Sequence, residues 1–374
     1  MKAKRVAKWS AGVILLVLVI WFQFAYWTST NDCERFSTAP AHPTRAIRYC
    51  EYGSPAVVKL VSVEKPIPNE NQILIKVRAA SLNAFDTYVI RDWWVGRFAF
   101  GLRKPKDTRL GRDVAGYVEA VGRDVADFKP GDEVFGTVPG ALAEYSVSSG
   151  RGLVRKPQSV SFEDAAAVPL AGMTALQGLR AGKIQPGQKV LINGATGGVG
   201  TIALQIAKSL GAEVTAVCST RNIELVRSIG ADHVIDYTKQ DFTKGDQRYD
   251  VIFDNVRNHS FAALRRALTP KGICVLAGVG GAGITTGEAL GRIIRTFTAA
   301  ALSSFTAQKF AQYQTTTSKE DLVELSELIK TGKLKPVIER SYTLDDAPEA
   351  LRHLDAGHAR GKLIVTMQAR PVGP

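Results

Sequence analysis

The clearest chemistry in the sequence lies in a glycine-rich segment near the middle of the chain. An apolar run over 190–192 leads into it, and a longer, mostly apolar run over 201–207 follows. A strand that enters such a turn and leaves it as a helix brings backbone N–H groups and the positive end of the helix dipole close to a diphosphate. We therefore expect a dinucleotide to bind at Gly194, Thr196, Gly197, Gly198, Val199 and Gly200.

The residues after the next predicted strand, 213–218, indicate which dinucleotide binds. They stand at the spacing expected for the group that reads the adenosine ribose. An NAD site usually carries an acidic residue there, whereas this chain has Ser219, Thr220 and Arg221. Because hydroxyl and guanidinium groups suit a 2′-phosphate, the sequence predicts NADPH rather than NADH. The alternative interpretation of Arg221 is a solvated side chain at the start of a helix.

Two patterns of secondary structure must hold this site. Up to about 157, short β-type runs are punctuated by glycine and proline, which indicates a mostly β domain. From 162 onward, β-type runs alternate with helical stretches, which indicates a parallel sheet covered on both faces. We predict a helix over 319–330 and strands over 56–63, 72–79, 117–121, 133–138, 189–192, 213–218, 233–236, 250–254, 273–276 and 361–365.

Composition and charge narrow the possible functions. The 374 residues are enough for two domains, and the net charge of +13 would suit nucleic acid, anionic lipid or a phosphorylated cofactor. No zinc-finger spacing, RNP-type strand or long basic block accompanies the charge, so no nucleic-acid partner is expected. No metal site is expected either, because the five histidines form no HxxxH motif and no CxxC pair occurs among Cys33, Cys50, Cys218 and Cys274.

The N-terminal segment predicts a membrane anchor. Residues 1–8 are basic, 9–28 are almost entirely apolar, and 29–43 read as a polar linker. This pattern favours one transmembrane helix over 9–28, with a cleaved signal peptide as the alternative. The sequence does not decide on which side of the membrane the catalytic domain lies, because the positive-inside rule favours export whereas the supply of cofactor favours the cytoplasm. If the domain is exported, Cys33 and Cys50 could pair.

Several segments together resemble the medium-chain dehydrogenase/reductase superfamily, in particular its zinc-independent quinone reductase branch. They are 110–116, 128–136, 165–176, 194–200 and 230–237. The resemblance implies an α/β protein with a GroES-like catalytic domain over 44–160 and 310–370, interrupted by a Rossmann NADP-binding domain over 161–309. It also implies an active site in the cleft between them, and a homodimer whose parallel sheets join edge to edge.

The resemblance further suggests how the carbonyl of a substrate is activated. Zinc alcohol dehydrogenases of this superfamily have Cys and His ligands where this chain has Asn83 and Arg112. The resemblance therefore implies a reaction without zinc, in which Asn83 and Tyr88 donate hydrogen bonds to the substrate oxygen. Trp93 and Trp94 either line the substrate pocket or serve packing alone.

Further cofactor contacts follow from the resemblance. At one position the sequence differs from its relatives: Arg257 stands where related sequences tend to have glycine, and it could contact or crowd the cofactor. The implied contact residues are Thr174, Tyr237, Asn255, Gly278, Val279 and Lys362.

The expected activity is hydride transfer from NADPH to a quinone or an α,β-unsaturated carbonyl compound. The predicted anchor would suit a small apolar substrate of this kind. Two alternatives stay open: a membrane-tethered NADPH-binding sensor or scaffold with little turnover, and an enoyl-thioester reductase. The fold alone does not decide among them.

Overall fold

The computed structural model describes residues 20, 23–24, 26–33, 39–91, 94–277, 291, 298, 307–357 and 359–367. These residues build two units, one around mostly antiparallel sheets and one around a parallel sheet. The helices are α1 (Ala84–Ile90), α2 (Trp94–Phe100), α3 (Phe162–Ala166), α4 (Pro169–Ala181), α5 (Gly198–Ser209), α6 (Ile223–Ser228), α7 (Phe261–Ala267), α8 (Lys319–Lys330) and α9 (Ala347–Asp355).

The first unit is β-rich. A two-stranded antiparallel sheet pairs β1 with β2, and a larger sheet has the order β14-β15-β3-β4-β5-β7, with β6 paired to β3. Its strands are β1 (Pro43–Tyr49), β2 (Val58–Glu64), β3 (Ile73–Ser81), β4 (Asp113–Val121), β5 (Glu133–Thr137), β6 (Tyr145–Ser148), β7 (Leu153–Arg155), β14 (Ile338–Thr343) and β15 (Lys362–Thr366).

The second unit is a six-stranded parallel sheet in the order β10-β9-β8-β11-β12-β13. The order reverses between β8 and β11, which is where open α/β sheets bind ligands. Its strands are β8 (Lys189–Asn193), β9 (Glu213–Cys218), β10 (His233–Asp236), β11 (Tyr249–Asp254), β12 (Leu268–Leu276) and β13 (Lys309–Gln312).

The central strand β8 shows why this sheet is covered on both faces. Successive side chains of a strand point to opposite faces. Val190 and Ile192 belong to a core shared with α4 and α5, whereas Leu191 packs on the other face with Ile252 and Leu264. All five side chains are fully buried. A continuous apolar run is the pattern of a parallel strand with helices on each side.

The end of the chain returns to the β-rich unit and ties the two units together. Strand β15 pairs with β3, and the residue before it, Gly361, adopts a φ of 79°. The Gly361 N–H donates to the carbonyl of Thr196 at 2.7 Å. The two-domain α/β architecture expected from the sequence is thereby confirmed, with the glycine-rich turn placed directly against the other domain.

The predicted transmembrane helix over 9–28 is wrong. Within the residues that the structure describes, no helix has the length and apolar character needed to cross a bilayer, which takes about 20 apolar residues. Most of the predicted anchor (9–19, 21–22 and 25) and the basic segment 1–8 lie outside the described residues. The predicted location, that of a single-pass membrane protein, is therefore wrong as well.

The residues just after this segment pack onto the β-rich unit. Cys33 forms a disulfide bond with Cys50, and the Asn31 side chain donates to the Cys50 carbonyl at 2.9 Å. The Thr108 hydroxyl donates to Asp32 at 2.9 Å. Residues 31–33 are therefore fixed to the end of β1 and to the loop that precedes β4.

Candidate active site

The glycine-rich turn has the geometry expected for a dinucleotide. Gly194 has a φ of 84°, in the region that favours glycine. A Cβ on Gly200 would lie only 2.0 Å from the carbonyl oxygen of Gly194, so only glycine allows α5 to approach the end of β8 this closely. Helix α5 begins after Gly197 without a side-chain cap, and a Cβ built on Gly197 would meet nothing within 4 Å. Its N-terminal N–H groups therefore remain available to a diphosphate.

A cleft of about 1900 Å³ runs between the two units and brings most of the predicted site residues together. Gly200 lies behind the turn, and Ser219, Thr220 and Arg221 follow Cys218, which lines the cleft. Gly278 and Val279 lie outside the described residues. The predicted residues that line the cleft are Asn83, Tyr88, Thr174, Gly194, Thr196, Gly197, Gly198, Val199, Tyr237, Asn255 and Lys362.

The segment that follows β9 contains a residue that the sequence did not single out. The Asn222 side-chain N–H₂ group donates to the Ser219 hydroxyl at 3.2 Å and lies 3.4 Å from the Thr196 hydroxyl. Its Oδ1 is buried without a hydrogen-bond partner, as expected where a ligand hydroxyl or a water molecule completes a site. The Thr220 hydroxyl instead donates to Asp236 at 2.5 Å.

The other predicted cofactor residues occupy different parts of the cleft. The Thr174 hydroxyl donates to the Leu170 carbonyl at 2.7 Å, which fixes it on α4. The Asn255 N–H donates to the Asn193 carbonyl at 3.2 Å, so Asn255 follows β11 at the point where the strand order reverses. Tyr237 is 64% exposed, which leaves its ring accessible for stacking.

The backbone conformation of Arg257 shows why glycine would be favoured at this position. Its φ is 63°, in the left-handed region, which costs a non-glycine residue roughly 1–3 kcal/mol. The backbone is held there because the Arg257 N–H donates to Asp254 Oδ1 at 2.8 Å. Arg257 is 5% exposed and lines the cleft, so it adds a cation to the wall of the site.

A buried polar network forms the floor of the cleft on the β-rich side. The Lys362 ammonium donates to the Leu82 carbonyl at 2.9 Å and to Asn83 Oδ1 at 2.7 Å, and it lies 3.3 Å from Asp113 Oδ2. An ammonium has three donors, so each has a protein partner. Burial lowers the pKa of Lys362, and the charge of Asp113 opposes that effect.

Asn83 is fully engaged in this network. Its amide N–H₂ group donates to Asp113 Oδ2 at 2.9 Å and lies 3.4 Å from the Ser81 carbonyl, while its Oδ1 accepts from Lys362. The side chain is 9% exposed. A substrate oxygen could reach an amide hydrogen only by replacing the weak contact with Ser81, so the geometry favours a role in positioning.

Asp86 completes the network and is the most perturbed acid in it. Its carboxylate accepts from the N–H of Asn83 at 2.8 Å and from the N–H of Gly111 at 3.0 Å. Burial raises its pKa to about 6, although these two hydrogen bonds act in the opposite direction. The same contacts cap α1 and therefore place Asn83 at the start of that helix.

The polar groups at the positions where zinc alcohol dehydrogenases have their zinc ligands do not suit zinc. They are the amide of Asn83 and the guanidinium of Arg112, and the ammonium of Lys362 lies beside them. Zinc sites in proteins use thiolate, imidazole and carboxylate ligands. Within the described residues, no group of three or more His, Cys, Asp or Glu side chains could hold a metal ion.

An aromatic wall, formed by Phe85, Tyr88 and Phe100, borders the cleft on the β-rich side. The rings of Phe85 and Phe100 are 6.1 Å apart, and those of Tyr88 and Phe100 are also 6.1 Å apart, both edge to face. Burial raises the pKa of Tyr88 to about 12, so its hydroxyl stays protonated at neutral pH. Trp93 and the side chain of Trp94 lie outside the described part of the chain.

These features define a class of protein: a two-domain oxidoreductase that binds a nicotinamide dinucleotide between a β-rich domain and a parallel α/β domain. Comparison with known families agrees. Residues 69–158 match the alcohol dehydrogenase GroES-like domain, and residues 229–365 match the family described as zinc-binding dehydrogenase.

Curated relatives cover most of the chain. It is 35% identical to mouse NAD(P)H oxidoreductase RTN4IP1, mitochondrial, over 79% of this chain and 82% of the relative. It is 34% identical to the chloroplastic quinone-oxidoreductase QR1 of Triphysaria versicolor, over 86% of this chain and 98% of the relative. The chain belongs to the medium-chain dehydrogenase/reductase superfamily.

Solved structures agree with this assignment. The quinone oxidoreductase of Coxiella burnetii is 30% identical with a TM-score of 0.74, and the match covers 87% of this chain and 100% of that one. The Escherichia coli quinone oxidoreductase complexed with NADPH is 27% identical with a TM-score of 0.72, covering 86% of this chain and 99% of that one.

Proposed function

We propose that this chain transfers a hydride from NADPH to a quinone or an α,β-unsaturated carbonyl compound. The observation that carries the proposal is the cleft that joins the glycine-rich turn of one domain to the aromatic wall and polar network of the other. The names of the relatives support it: they include a quinone oxidoreductase, a 2-methylene-furan-3-one reductase and an alkenal/one oxidoreductase. The acceptors in these names share a conjugated carbonyl group.

We propose that the dinucleotide site binds NADPH in preference to NADH. The prediction made from Ser219, Thr220 and Arg221 is confirmed by relatives whose names or titles specify NADPH. We propose that Ser219 and Arg221 bind the 2′-phosphate, because the Thr220 hydroxyl is already bonded to Asp236. The turn from Gly194 to Gly200 and the start of α5 would hold the diphosphate.

The remaining cofactor contacts are proposed from their places in the cleft. Bound NADPH supplies the hydride from its nicotinamide ring. Thr174 and Asn255 would border that ring, and Tyr237 would pack against the adenine. For Gly278 and Val279, which lie outside the described residues, the contact with the ring rests on the family resemblance alone. Lys362 would act through the turn, because a Cβ on Gly198 would lie 2.7 Å from its Cδ.

On the substrate side, we propose separate roles for the two predicted catalytic residues. Tyr88 would border the acceptor and donate a proton or a hydrogen bond, since its hydroxyl is protonated at neutral pH. Asn83 would keep the floor of the cleft in place through Lys362 and Asp113. The aromatic wall would bind a small apolar acceptor.

The test is NADPH consumption by the purified chain with three panels of acceptors: quinones, enones and enoyl thioesters. The proposal expects turnover with quinones or enones that exceeds turnover with enoyl thioesters. If NADPH binds but no panel is reduced, the chain is a binding protein, and the sensor or scaffold alternative replaces the proposal. Reduction of enoyl thioesters alone would place the chain in the other enzymatic class.

The domain boundaries and the homodimer also stay proposals. We propose that a dimer with edge-to-edge parallel sheets uses β13, which is one of the two edge strands of the six-stranded sheet among the described strands, the other being β10. Sedimentation of the purified chain would distinguish a dimer from a monomer.

A further inference from the structure

We infer that Arg112 is the group that binds the carbonyl oxygen of the acceptor and stabilises the negative charge that forms there. The inference rests on the proposed reductase function and deepens it. Arg112 is half-buried and lines the cleft. Its guanidinium lies 4.9 Å from the centre of the Phe85 ring, and no described residue accepts a hydrogen bond from it. An arginine carries five donors, so this cation is available to a ligand.

The backbone around Arg112 is well fixed. Its carbonyl accepts from the N–H of Val138 at 2.7 Å. The next residue, Asp113, accepts from Ser81 and Asn83 and also from the N–H of Leu170 at 2.9 Å. The guanidinium therefore extends from a rigid point beside the polar network, which is the condition for a preorganised electrostatic site.

The aromatic wall directs an acceptor toward this cation. Phe85 contacts both Arg112 and Phe100, and Phe100 contacts Tyr88. A flat conjugated molecule that packs along these rings would have its ring or chain against the wall and its oxygen at the guanidinium or at Tyr88. The wall thus connects the apolar part of the pocket to a strong donor.

The charges near Arg112 leave it without a counterion in contact. Asp107 is the carboxylate of the preceding loop, and Arg109 holds it through two hydrogen bonds of 2.8 and 2.9 Å. Asp113 is paired with Lys362 at 3.3 Å. Neither acid accepts a hydrogen bond from Arg112, although the charge of Arg112 acts on Asp107, so the donors of the guanidinium are available for a developing oxyanion.

The chemical step balances without another reactant. A C–H bond forms between the acceptor carbon and the hydride as the C4–H bond of the nicotinamide breaks. The π electrons of the acceptor move to its oxygen, which becomes an enolate held by the guanidinium of Arg112. With a quinone, the carbon that received the hydride then releases a proton while the second oxygen takes one up, which makes the ring aromatic. One proton from water then completes the product.

The test compares Arg112→Met with Arg112→Lys and with a matched control, Arg123→Met. Arg123 lies just beyond the opposite end of β4, pairs with Glu70 at 2.6 Å and is 72% exposed. We expect Arg112→Met to lower kcat for neutral quinones and enones by about 100- to 1000-fold, the loss seen when one oxyanion donor is removed. The dissociation constant of NADPH should stay within about twofold. Arg112→Lys should recover part of kcat, and the control should match the unmodified chain.

A second readout does not depend on turnover. 4-Nitrophenol is an inert mimic of the oxyanion, and its phenolate absorbs visible light. Bound to the unmodified chain with NADP⁺, it should ionise at a lower pH than in water, and this shift should vanish in Arg112→Met.

Three results have distinct meanings. No turnover by the unmodified chain would defeat the proposed function itself. Unchanged kcat and an unchanged nitrophenol shift in Arg112→Met would overturn the role of Arg112 alone. A loss confined to acceptors that carry a carboxylate would also overturn it, because Arg112 would then bind a substituent of the substrate.

Discussion

Lys362 and Asn83 are 279 positions apart in the sequence, yet the Lys362 ammonium lies 2.7 Å from the side-chain oxygen of Asn83. The contact joins the first residue of β15 to the N-terminal cap of α1. It also places a buried cation beside Asp113, next to a position where zinc alcohol dehydrogenases have a zinc ligand. The ammonium of Lys362 therefore balances the negative charge of Asp113 on the floor of the cleft.

Removing this cation should destabilise the protein more than it weakens cofactor binding. Lys362→Met leaves Asp113 buried without its partner, and loss of one member of a buried pair costs about 3–5 kcal/mol. Thermal unfolding should show a clearly lower Tm, while a titration with NADPH should show a much smaller change in affinity. An unchanged Tm would mean that the ammonium does not balance Asp113.

Asp86 should make stability depend on pH. Its pKa is about 6 in the folded protein against 3.8 in the unfolded chain. Between these values the folded state binds more protons, so the free energy of unfolding falls as pH rises from about 4 to about 6. The total change is about 3 kcal/mol. Denaturant titrations across this range should show the decline.

The matched variants for this prediction are Asp86→Asn and Asp246→Asn. In Asp86→Asn, the free energy of unfolding should no longer show the fall with pH that Asp86 contributes. This variant should also be less stable at low pH, because its amide cannot accept hydrogen bonds from both Asn83 and Gly111. The second, at an exposed position, should keep the pH dependence. The same slope in both variants would assign it to another group.

Arg221 should set the preference between the two nicotinamide cofactors. A charged hydrogen bond contributes about 1.5–3 kcal/mol, so Arg221→Ala should weaken NADPH binding by roughly 10- to 100-fold and leave NADH nearly unchanged. Arg227→Ala is the control, because this exposed arginine lies in the next helix and pairs with Glu224. Equal effects of Arg221→Ala on both cofactors would remove Arg221 from the phosphate site.

The disulfide between Cys33 and Cys50 should stabilise the folded chain. It spans 17 positions, and closure of a loop of this size contributes about 3 kcal/mol in the unfolded-state entropy description. A thiol reductant should therefore lower the Tm of the unmodified chain and leave that of Cys33→Ser/Cys50→Ser unaffected. A reductant effect of equal size in both proteins would show that the bond does not contribute.

Local patterns were enough to predict much of the fold. The strand over 213–218 and the helix over 319–330 match the structure at both ends. Strand β9 is a β-branched run between a helix and a turn, and α8 has a serine cap at Ser318. Strand β12 was harder, because it starts at Leu268 and contains Pro270 and Gly272, which usually interrupt a strand.

The candidate site was only partly visible in the sequence. The glycine-rich turn is a local feature, so its residues could be identified directly. The partnership of Lys362, Asn83 and Asp113 depends on the return of β15 to β3, which no local pattern encodes. Asn222 has no motif of its own, and the hydrogen bond that engages Thr220 appears only once β9 and β10 are side by side.

The apolar N-terminal segment shows the limit of composition. On hydropathy alone, a long run without charges predicts a transmembrane helix. Within the described residues, however, no helix is long and apolar enough to cross a membrane. The sequence favours a pair between the nearby cysteines only for an exported domain, and the structure contains the disulfide bond between Cys33 and Cys50.

The most direct test of the central claim follows the hydride itself. NADPH deuterated at C4 of the nicotinamide is mixed with the purified chain and an enone or quinone in ordinary water, and the reduced acceptor is analysed by mass spectrometry and NMR. With an enone, the account predicts one deuterium on the carbon β to the carbonyl and one NADP⁺ formed per molecule of product. Deuterium that reaches a quinone exchanges with water, so quinone reduction is followed by the NADP⁺ that forms. Bound NADPH with no deuterium transferred to an enone and no NADP⁺ formed with a quinone would contradict the proposal.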